Sequence, residues 1–381
     1  MATMSILPAF LLTLAVPQEW TAPAPPSLDE QLSAVLQGLV DAGMPGASAS
    51  IVLKDGSQHS VAVGLADRAT QEALTPDHRL LLGSTGKTFV SAQAMLLAQA
   101  GELDLDQTAL SVFSDDESDW LRALPNGERF TLRQLMGHRA GLPRYVYHPD
   151  FGPAMSSDPK RVWTPQELVA YVAGAEPLFA PGKGWAYADT SYIVLGMAME
   201  KCMGESFYGR VQRTFLDPLG LKDTLPTNRS RIESMAQGYV VLGKQLGTGD
   251  LALGPEGFTY NVQFEWCGGG FASNPRDLAR WARLLFSGRL HGERALGAML
   301  TTTPARSLGP ETGYGLGVMV RPTDLGELRY HDGFMPGYVT SLGYFPEHDM
   351  GVSLQCNGDN LRLLRRPLSE VLVELAQLAA K

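Results

Sequence analysis

Residues 80–100 read LLLGSTGKTFVSAQAMLLAQA, in which a short apolar run reaches a glycine and then continues into a helical pattern. Ser84 and Lys87 lie at this junction, three positions apart, which places both side chains on one face of the first helical turn. A serine hydroxyl needs a nearby base, and a lysine in a dry cleft near other cationic groups can lose its proton near neutral pH. The helix N-terminus also offers N–H groups to a developing oxyanion. The stretch favours a nucleophilic serine, although many helices carry the same pair as an N-cap and a surface lysine.

A second candidate lies about a hundred residues further along. Residues 181–192 read PGKGWAYADTSY and run into an apolar helical pattern, so Tyr187 falls just before a helix. A tyrosine beside a lysine ammonium can be held near the phenolate form and can then act as general base and acid. The alternative is a core aromatic with a satisfied hydroxyl, and a tyrosine considered alone fits that alternative better.

The third candidate is His331-Asp332-Gly333, at the end of a predicted strand within LRYHDGFMPGYVTSLGYFP, residues 328–346. Glycine at this position lets another backbone approach closely. A lone histidine in such a place is more often structural than catalytic.

In this order and with these flanks, the three elements resemble the serine β-lactamase-like superfamily. The branch concerned includes class C β-lactamases, D-Ala-D-Ala carboxypeptidases, D-amino-acid peptidases and β-lactamase-fold esterases. The resemblance covers about residues 28–375. The Ser-x-x-Lys, Tyr-x-Asn and Lys-Thr-Gly elements of that superfamily appear here as STGK at 84–87, YAD at 187–189 and HDG at 331–333.

Two further segments support the resemblance. Residues 135–143, LMGHRAGLP, resemble the superfamily's Leu-Leu-x-His-Thr-Ser-Gly-Leu-Pro loop. Residues 268–281 begin with three glycines and continue into a helical pattern, and they resemble the segment that precedes the last strands.

The resemblance implies roles for the site residues. Ser84 is the nucleophile, and Lys87 and Tyr187 share the proton transfer. His331 borders the site and orients Tyr187 or the substrate. The residues implied in substrate binding are Asp189, Asp332, Gly333 and Phe334. No metal or organic cofactor is implied.

Two of these roles are specific. The backbone N–H groups of Ser84 and Phe334 form the oxyanion hole, and Asp189 forms hydrogen bonds with Lys87 and with the acyl amide of the substrate. Asp189 stands where the superfamily has asparagine, and an ionised carboxylate only accepts hydrogen bonds. We therefore expect Asp189 to hold Lys87 protonated, which leaves Tyr187 as the base.

The third motif also departs from the superfamily pattern. His331 replaces lysine, as in the carboxypeptidase and esterase branches, and is largely neutral near pH 7 at its ordinary pKa of about 6.5. Asp332 adds a negative charge if it faces the cleft, which predicts that carboxylate-bearing β-lactams are poor substrates compared with short-chain esters. An outward-pointing Asp332, or a positive charge from Arg144 or Arg306, would overturn that expectation.

The apolar patterns predict the fold. Helices are predicted over residues 28–44, 85–100, 276–285 and 365–378, the first with Ser27 as N-cap and Glu30 at the capping-box position. Strands are predicted over residues 47–53, 60–64, 315–320, 327–331, 338–345 and 351–356. The predicted class is α/β (α+β) of the β-lactamase/transpeptidase-like kind, with an antiparallel sheet flanked by helices and an inserted all-α lobe.

The same pattern predicts the domain organisation. Residues 1–26 form a signal-like or disordered arm, and residues 27–381 form a single domain. Within it an α/β lobe comprises about 27–83 and 266–381, and a helical lobe comprises about 84–265.

Composition restricts the partners. The chain has 31 Lys and Arg against 40 Asp and Glu, a formal net charge of -9 with no long basic run, which argues against nucleic-acid binding. Its three cysteines lack metal-site spacing. The expected partner is a small ester, amide or peptide substrate, and no segment after the N-terminal one is predicted to span a membrane.

Residues 6–16, ILPAFLLTLAV, are too few to span a bilayer as a helix, which takes about 20 residues, but they have the length of a signal-peptide core. No basic residue precedes them and no clean cleavage site follows. We expect export to the periplasm or the exterior, with a cytoplasmic protein that retains its N-terminal arm as the alternative.

Three functions follow from these residues. The leading one is a serine hydrolase that forms an acyl-enzyme on esters, small amides or D-amino-acid peptides. The second is a β-lactamase or D-Ala-D-Ala carboxypeptidase. The third is a catalytically decayed binding protein of the same fold, and the intact Ser84, Lys87 and Tyr187 argue against it.

Overall fold

The computed structural model describes residues 25–364 and 366–381. The predicted signal-like run at 6–16 therefore lies outside the described residues. The α-helices of the described part are α1 (Leu28–Asp41), α2 (Lys87–Ala100), α3 (Asp119–Arg122), α4 (Leu132–Met136), α5 (Phe151–Ser157), α6 (Pro165–Ala170), α7 (Asp189–Met203), α8 (Phe207–Val211), α9 (Pro275–Phe286), α10 (Gly292–Leu300) and α11 (Leu368–Ala379).

The strands are shorter on average than the helices, and several contain only two residues. They are β1 (Gly46–Val52), β2 (Gln58–Asp67), β3 (Glu72–Ala73), β4 (Leu80–Leu81), β5 (Leu225–Pro226), β6 (Leu253–Gly254), β7 (Gly257–Phe258), β8 (Phe271–Ser273), β9 (Thr303–Pro304), β10 (Gly313–Tyr314), β11 (Met319–Thr323), β12 (Gly326–Met335), β13 (Tyr338–Phe345) and β14 (Met350–Cys356).

The main sheet has nine strands in the order β3-β2-β1-β14-β13-β12-β11-β10-β9. Every pairing in it is antiparallel, as the short connections between its strands predict. Ala47 of β1 pairs with Cys356 of β14, so the first and last strands are neighbours inside the sheet. The strands of this sheet come from residues 46–73 and 303–356, on either side of a largely helical region.

Helices cover both faces of the sheet. On one face, α1 and α11 bury Leu36 and Leu372 against Val352 of β14. On the other face, α9 packs across β1, β13 and β14 and buries Trp281. Each helix presents an apolar stripe to an apolar sheet face, which is the arrangement that removes most hydrocarbon from water.

Helix α7 is the centre of the helical region. Its residues from Asp189 to Met199 are all buried, and such a helix is stable only when neighbouring elements surround it. Helix α7 has 15 residues. Among the described residues, no helix combines the length and the apolar character needed to cross a membrane.

Local sequence signals predicted several element boundaries well. Ser27 caps α1, and the Glu30 carboxylate accepts a hydrogen bond from the Ser27 N–H at 2.7 Å, which completes the predicted capping box. Strand β13 spans the predicted residues. Helix α9 begins one residue earlier than predicted, because the Asn274 side chain accepts a hydrogen bond from the Asp277 N–H.

Other boundaries differ from the prediction. Of the strand predicted over 315–320, residues 315–318 instead form the turn between β10 and β11, because Gly317 has φ +77° and the Gly315 N–H donates to the Val318 carbonyl. Strand β12 extends past His331 to Met335 through pairing with β13. Helix α11 begins only at Leu368, after Pro367, because a residue that precedes proline is disfavoured in helical conformation.

Candidate active site

Ser84 lies in a single 3₁₀ turn, Gly83–Gly86, that leads directly into α2. Gly83 has φ +52°, and a Cβ atom there would lie 2.3 Å from the carbonyl oxygen of Phe334 in β12. Only glycine permits both the backbone conformation and the close approach. The turn that carries Ser84 is therefore held against β12 at Phe334.

Gly333 contributes the second close approach. A Cβ atom on Gly333 would lie 2.0 Å from the carbonyl oxygen of Leu82, so a side chain at this position would push the Ser84 turn off the strand. The sequence predicted this role for Gly333.

The Lys87 side chain is fully buried below Ser84. Its Nζ donates to the Ser84 Oγ at 3.0 Å, to the Asp189 Oδ1 at 2.8 Å and to the Gly268 carbonyl at 2.5 Å. Three acceptors around one nitrogen match the three N–H groups of an ammonium. Lys87 is therefore a charged group in direct contact with the candidate nucleophile.

Asp189 is the first residue of α7 and has two cationic neighbours. While its Oδ1 faces Lys87, its Oδ2 accepts from the Nε of Arg144 at 2.9 Å and from the Nη2 at 2.6 Å. Arg144 immediately follows the Leu-to-Pro loop at 135–143, and its guanidinium also donates to the Tyr147 hydroxyl. The expected contact between Asp189 and Lys87 is present in the structure.

The charges in this cluster set its protonation. Burial lowers the pKa of Lys87, but Asp189, together with Tyr187 and Glu265, raises it by more, so the pKa lies above the ordinary lysine value. Burial would raise the pKa of Asp189, but Arg144 and Lys87 lower it well below the usual range. At neutral pH, Lys87 is an ammonium and Asp189 a carboxylate.

Tyr187 lies two residues before Asp189, with its ring against that of His138 at a centroid distance of 4.1 Å. The Nζ of Lys87 lies 5.0 Å from the centroid of the Tyr187 ring. The Tyr187 hydroxyl is buried and has no hydrogen-bond partner among the described residues. Burial raises its pKa although the Lys87 charge lowers it, so the resting side chain is a neutral phenol.

His331 is buried and packs near the ring of Tyr187. Its Nδ1 contacts the Asp332 carbonyl at 2.7 Å and therefore donates, so its Nε2 accepts from the Tyr314 hydroxyl at 2.9 Å. With both ring nitrogens occupied, His331 has no hydrogen bond to give Tyr187 or a substrate, and it contacts Tyr187 by packing, at a ring-centroid distance of 6.4 Å. Burial, with a further effect of the Lys87 charge, lowers the pKa of His331 to about 3.

Asp332 lines the same cleft as Ser84 but lies on the face of β12 opposite to the Ser84 turn. In β12 it pairs with Ser341, whose hydroxyl donates to its Oδ1 at 2.6 Å. A Cβ atom on Gly343, two residues beyond Ser341 and on the same face, would lie 2.7 Å from Leu372 of α11. Asp332 therefore faces α11, whereas Gly333 faces the Ser84 turn, and burial raises the pKa of the Asp332 carboxyl to about 6.

The lower activity expected on carboxylate-bearing β-lactams therefore stays a prediction. Arg144, one of the two arginines named as possible sources of positive charge, lines the same cleft as Ser84. Its charge is already paired with Asp189, so it does not replace the missing lysine of the third motif.

Glu265 is a site residue that the sequence motifs did not indicate. It precedes the three glycines at 268–270, is 7% exposed and lines the cleft together with Ser84 and Asp189. The only sequence signal is an acidic residue inside the apolar segment VQFEWC, residues 262–267. Burial, with the neighbouring charge of Asp189, raises the pKa of Glu265 to about 7.

The cleft over these groups has a volume of about 730 Å³. Its lining includes the polar residues Ser84, Tyr187 and Asp189. It also includes Asp332 and a set of apolar side chains, namely Met319, Val339, Leu361, Leu364 and Leu368. The cleft has room for a small acyl donor that carries an apolar group.

The antiparallel sheet and its flanking helices define a β-lactamase/transpeptidase-like fold. The family model described as Beta-lactamase matches residues 32–374, so the chain belongs to the Beta-lactamase family. The resemblance drawn from the three motifs is thereby confirmed.

Individual proteins show the same relationship. Penicillin-binding protein 4* of Bacillus subtilis is 26% identical over 75% of this chain and 62% of its own length. The D-aminopeptidase of Brucella anthropi is 25% identical over 75% of this chain and 51% of its own length. The chain thus spans between half and two thirds of the length of these curated relatives.

A solved structure extends the comparison to the fold. The D-stereospecific amidohydrolase from Streptomyces sp. superposes with a TM-score of 0.77 at 27% sequence identity, over 90% of this chain and 96% of its own. The predicted β-lactamase/transpeptidase-like fold is confirmed by this agreement.

Proposed function

We propose that this protein is a serine acyl hydrolase that forms an acyl-enzyme on Ser84 and cleaves small amides and esters, with D-amino-acid amides and peptides as the leading substrate class. The observation that carries the proposal is the 3.0 Å contact between the Lys87 Nζ and the Ser84 Oγ, beside a cleft that Ser84 and Tyr187 both line. The substrate class is supported by the similarity to a D-aminopeptidase and a D-stereospecific amidohydrolase.

The proposed reaction begins when the Lys87–Tyr187 pair has lost one proton. The Ser84 Oγ then forms a bond to the substrate carbonyl carbon, and its proton passes to this pair. The carbonyl oxygen becomes an oxyanion that the N–H groups of Ser84 and Phe334 stabilise. When the C–N or C–O bond breaks, the pair returns the proton to the leaving amine or alcohol, and a water molecule repeats the sequence to release the acid.

Asp189 decides which partner carries the proton. Because it keeps Lys87 charged, Tyr187 is the group that accepts the Ser84 proton, and the adjacent ammonium stabilises the phenolate that this requires. His331 and Tyr314 act as positioning residues, since they pack against Tyr187 rather than bond to a substrate.

A substrate panel tests the proposed function. We expect the purified protein to hydrolyse D-alanine p-nitroanilide, p-nitrophenyl acetate or p-nitrophenyl butyrate, with all turnover lost in Ser84→Ala. Nitrocefin in the same panel tests the second candidate, a β-lactamase, which the similarity to a penicillin-binding protein favours. Turnover of no substrate above the Ser84→Ala background would refute the hydrolase and leave a binding protein of the same fold.

The protonation of the site predicts a pH dependence. Lys87 and Tyr187 both have raised pKa values and are protonated at neutral pH, so kcat/KM should increase with pH as the pair loses its proton. His331, with a pKa of about 3, stays neutral throughout. In Asp189→Asn the rising limb should move to lower pH by ~1 unit or more, because the charge that raises the pKa of Lys87 is gone.

The measurement is the profile of kcat/KM between pH 6 and pH 9 for p-nitrophenyl acetate, corrected for spontaneous hydrolysis. Glu265 also titrates in this range, with a pKa of about 7. The comparison of the unaltered protein with Asp189→Asn is therefore repeated in the Glu265→Gln background. The exposed Asp158→Asn serves as a control for general loss of negative charge. If the midpoint of the rising kcat/KM limb is unchanged in Asp189→Asn, or moves to higher pH, Asp189 is not the group that keeps Lys87 protonated.

We also propose that the protein is exported, on the support of the apolar run at 6–16. Fractionation of cells that produce the full chain, with mass analysis of its N-terminus, distinguishes export from a cytoplasmic location.

A further inference from the structure

Glu265 lines the cleft and has a carboxylate oxygen without a hydrogen-bond partner among the described residues. Its side chain is more than nine-tenths buried, yet its Oε2 has no hydrogen-bond partner among the described residues. Buried carboxylate oxygens in proteins are nearly always paired, and an exception at a cleft wall suggests a ligand. The mechanism proposed above does not use this group.

The backbone around Glu265 is arranged to hold the carboxylate in place. Trp266, the next residue, has φ +31° and ψ -116°, a conformation that residues with a side chain rarely adopt. A Cβ atom on Gly268 would lie 2.9 Å from the Glu265 Oε2, so glycine makes room for the carboxyl group. Strained backbone of this kind persists where the surrounding structure fixes it, and it concentrates at functional sites.

This arrangement places Glu265 near the reacting atoms. The carbonyl oxygen of Gly268 contacts the Lys87 Nζ, which in turn contacts the Ser84 Oγ. Glu265, Ser84 and Asp189 therefore line one continuous surface of the cleft. In the proposed reaction the substrate carbonyl lies at the Ser84 Oγ, so a group on the adjacent carbon would lie beside this surface.

No cationic side chain of the described residues forms an ion pair with the Glu265 carboxylate. Lys87 and Arg144 both make their ion pairs with Asp189, and neither lies within 4.0 Å of the Glu265 carboxylate in the described part of the chain. A second carboxylate close to Asp189 is unfavourable as an anion in the free protein, and the raised pKa of Glu265 agrees with this. A cation brought by the substrate would supply the missing partner.

We propose that Glu265 binds the α-ammonium group of the substrate's acyl part and so selects amino-acid amides and peptides with a free amino terminus over neutral acyl donors. The inference rests on the proposed acyl hydrolase function and assigns Glu265 as its specificity residue. An ammonium in the cleft donates to the Glu265 carboxylate and opposes its charge, which a methyl or hydrogen at the same place cannot do.

The test compares two substrates that differ only in the amino group, D-alanine p-nitroanilide and propionic acid p-nitroanilide. In Glu265→Gln, kcat/KM for the amine-bearing substrate should fall by ~30-fold or more, and at least ten times further than for the propionyl substrate, because a charged hydrogen bond is lost. Glu256→Gln, an exposed carboxylate close in sequence, is the matched control and should keep both activities. Equal losses on the two substrates, or no loss on either, would overturn the proposal.

Binding in the Ser84→Ala background separates this proposal from the proposed function. D-alaninamide should bind more tightly than propionamide, as measured by NMR titration, and Glu265→Gln should abolish the difference. If no substrate is turned over but this difference is present, the hydrolase proposal fails and the ammonium site stands. If Ser84-dependent turnover is found without the difference, the hydrolase stands and the ammonium site fails.

Discussion

Replacement of Ser84 by alanine is expected to lower kcat by ~10³-fold or more on whichever ester or anilide the protein cleaves, because groups that act as one catalytic unit fail together. The structure gives the reason: the Ser84 Oγ is the atom that connects the Lys87 ammonium to the cleft. A fluorophosphonate or a slowly hydrolysed ester should leave its adduct on the peptide that contains Ser84, and peptide masses after digestion locate it.

Ser91→Ala provides a matched control for this experiment. Ser91 lies on the same helix, is buried and contacts the Tyr192 hydroxyl rather than the cleft. We expect this variant to lose some stability and to keep most of its activity. An adduct at another residue, or full activity in Ser84→Ala, would contradict the acyl-enzyme mechanism.

Local signals in the sequence were sufficient to predict the bounds of those helices and strands whose ends depend on residues close by in the chain. The capping box of α1 depends only on Ser27 and Glu30, and the alternation of β13 depends on its own eight residues. The division of β10 from β11 depends on a turn that Gly317 makes, and the sequence shows a glycine there without showing its φ angle.

The face of the sheet on which a strand residue lies could not be predicted from local signals. Alternation requires that His331 and Asp332 lie on opposite faces of β12, but it does not say which face carries the site. The structure decides this through Gly333, whose missing side chain admits Leu82 and the Ser84 turn. His331 and Gly333 therefore face the turn, and Asp332 faces α11.

Contacts between distant segments were the hardest to predict. Asp189 was expected beside Lys87 from the motif, whereas its second partner, Arg144, comes from a loop 45 residues earlier. Tyr314 as the partner of His331, and Glu265 as part of the cleft, depend on tertiary packing and on the unusual backbone at Trp266. No short motif encodes these relationships.

Tyr187→Phe should separate catalysis from stability. The Tyr187 hydroxyl has no hydrogen-bond partner among the described residues, so its removal should leave the free energy of unfolding almost unchanged. Activity should nevertheless fall by ~10²- to 10³-fold if this hydroxyl transfers the Ser84 proton. Kinetics and thermal unfolding of the same variant measure both effects.

Tyr192→Phe should show the opposite pattern. The Tyr192 hydroxyl donates to the Met136 carbonyl at 3.0 Å, and its ring also lies near Lys87, at 5.5 Å. Its loss should cost about 1–2 kcal/mol of stability with a much smaller effect on kcat. Near-normal turnover in Tyr187→Phe would refute Tyr187 as the proton-transfer group.

Lys87→Ala tests whether Lys87 and Tyr187 share one proton, as the proposed mechanism requires. If they act as a unit, Lys87→Ala should lose nearly as much kcat as Tyr187→Phe, and the double variant should be less than ~10-fold worse than the poorer single variant. Asp189 keeps its ion pair with Arg144 when Lys87 is removed, so the variant retains a paired carboxylate in the buried cluster. Losses that multiply in the double variant would instead show that Lys87 and Tyr187 act in separate steps, and the shared-proton mechanism would be wrong.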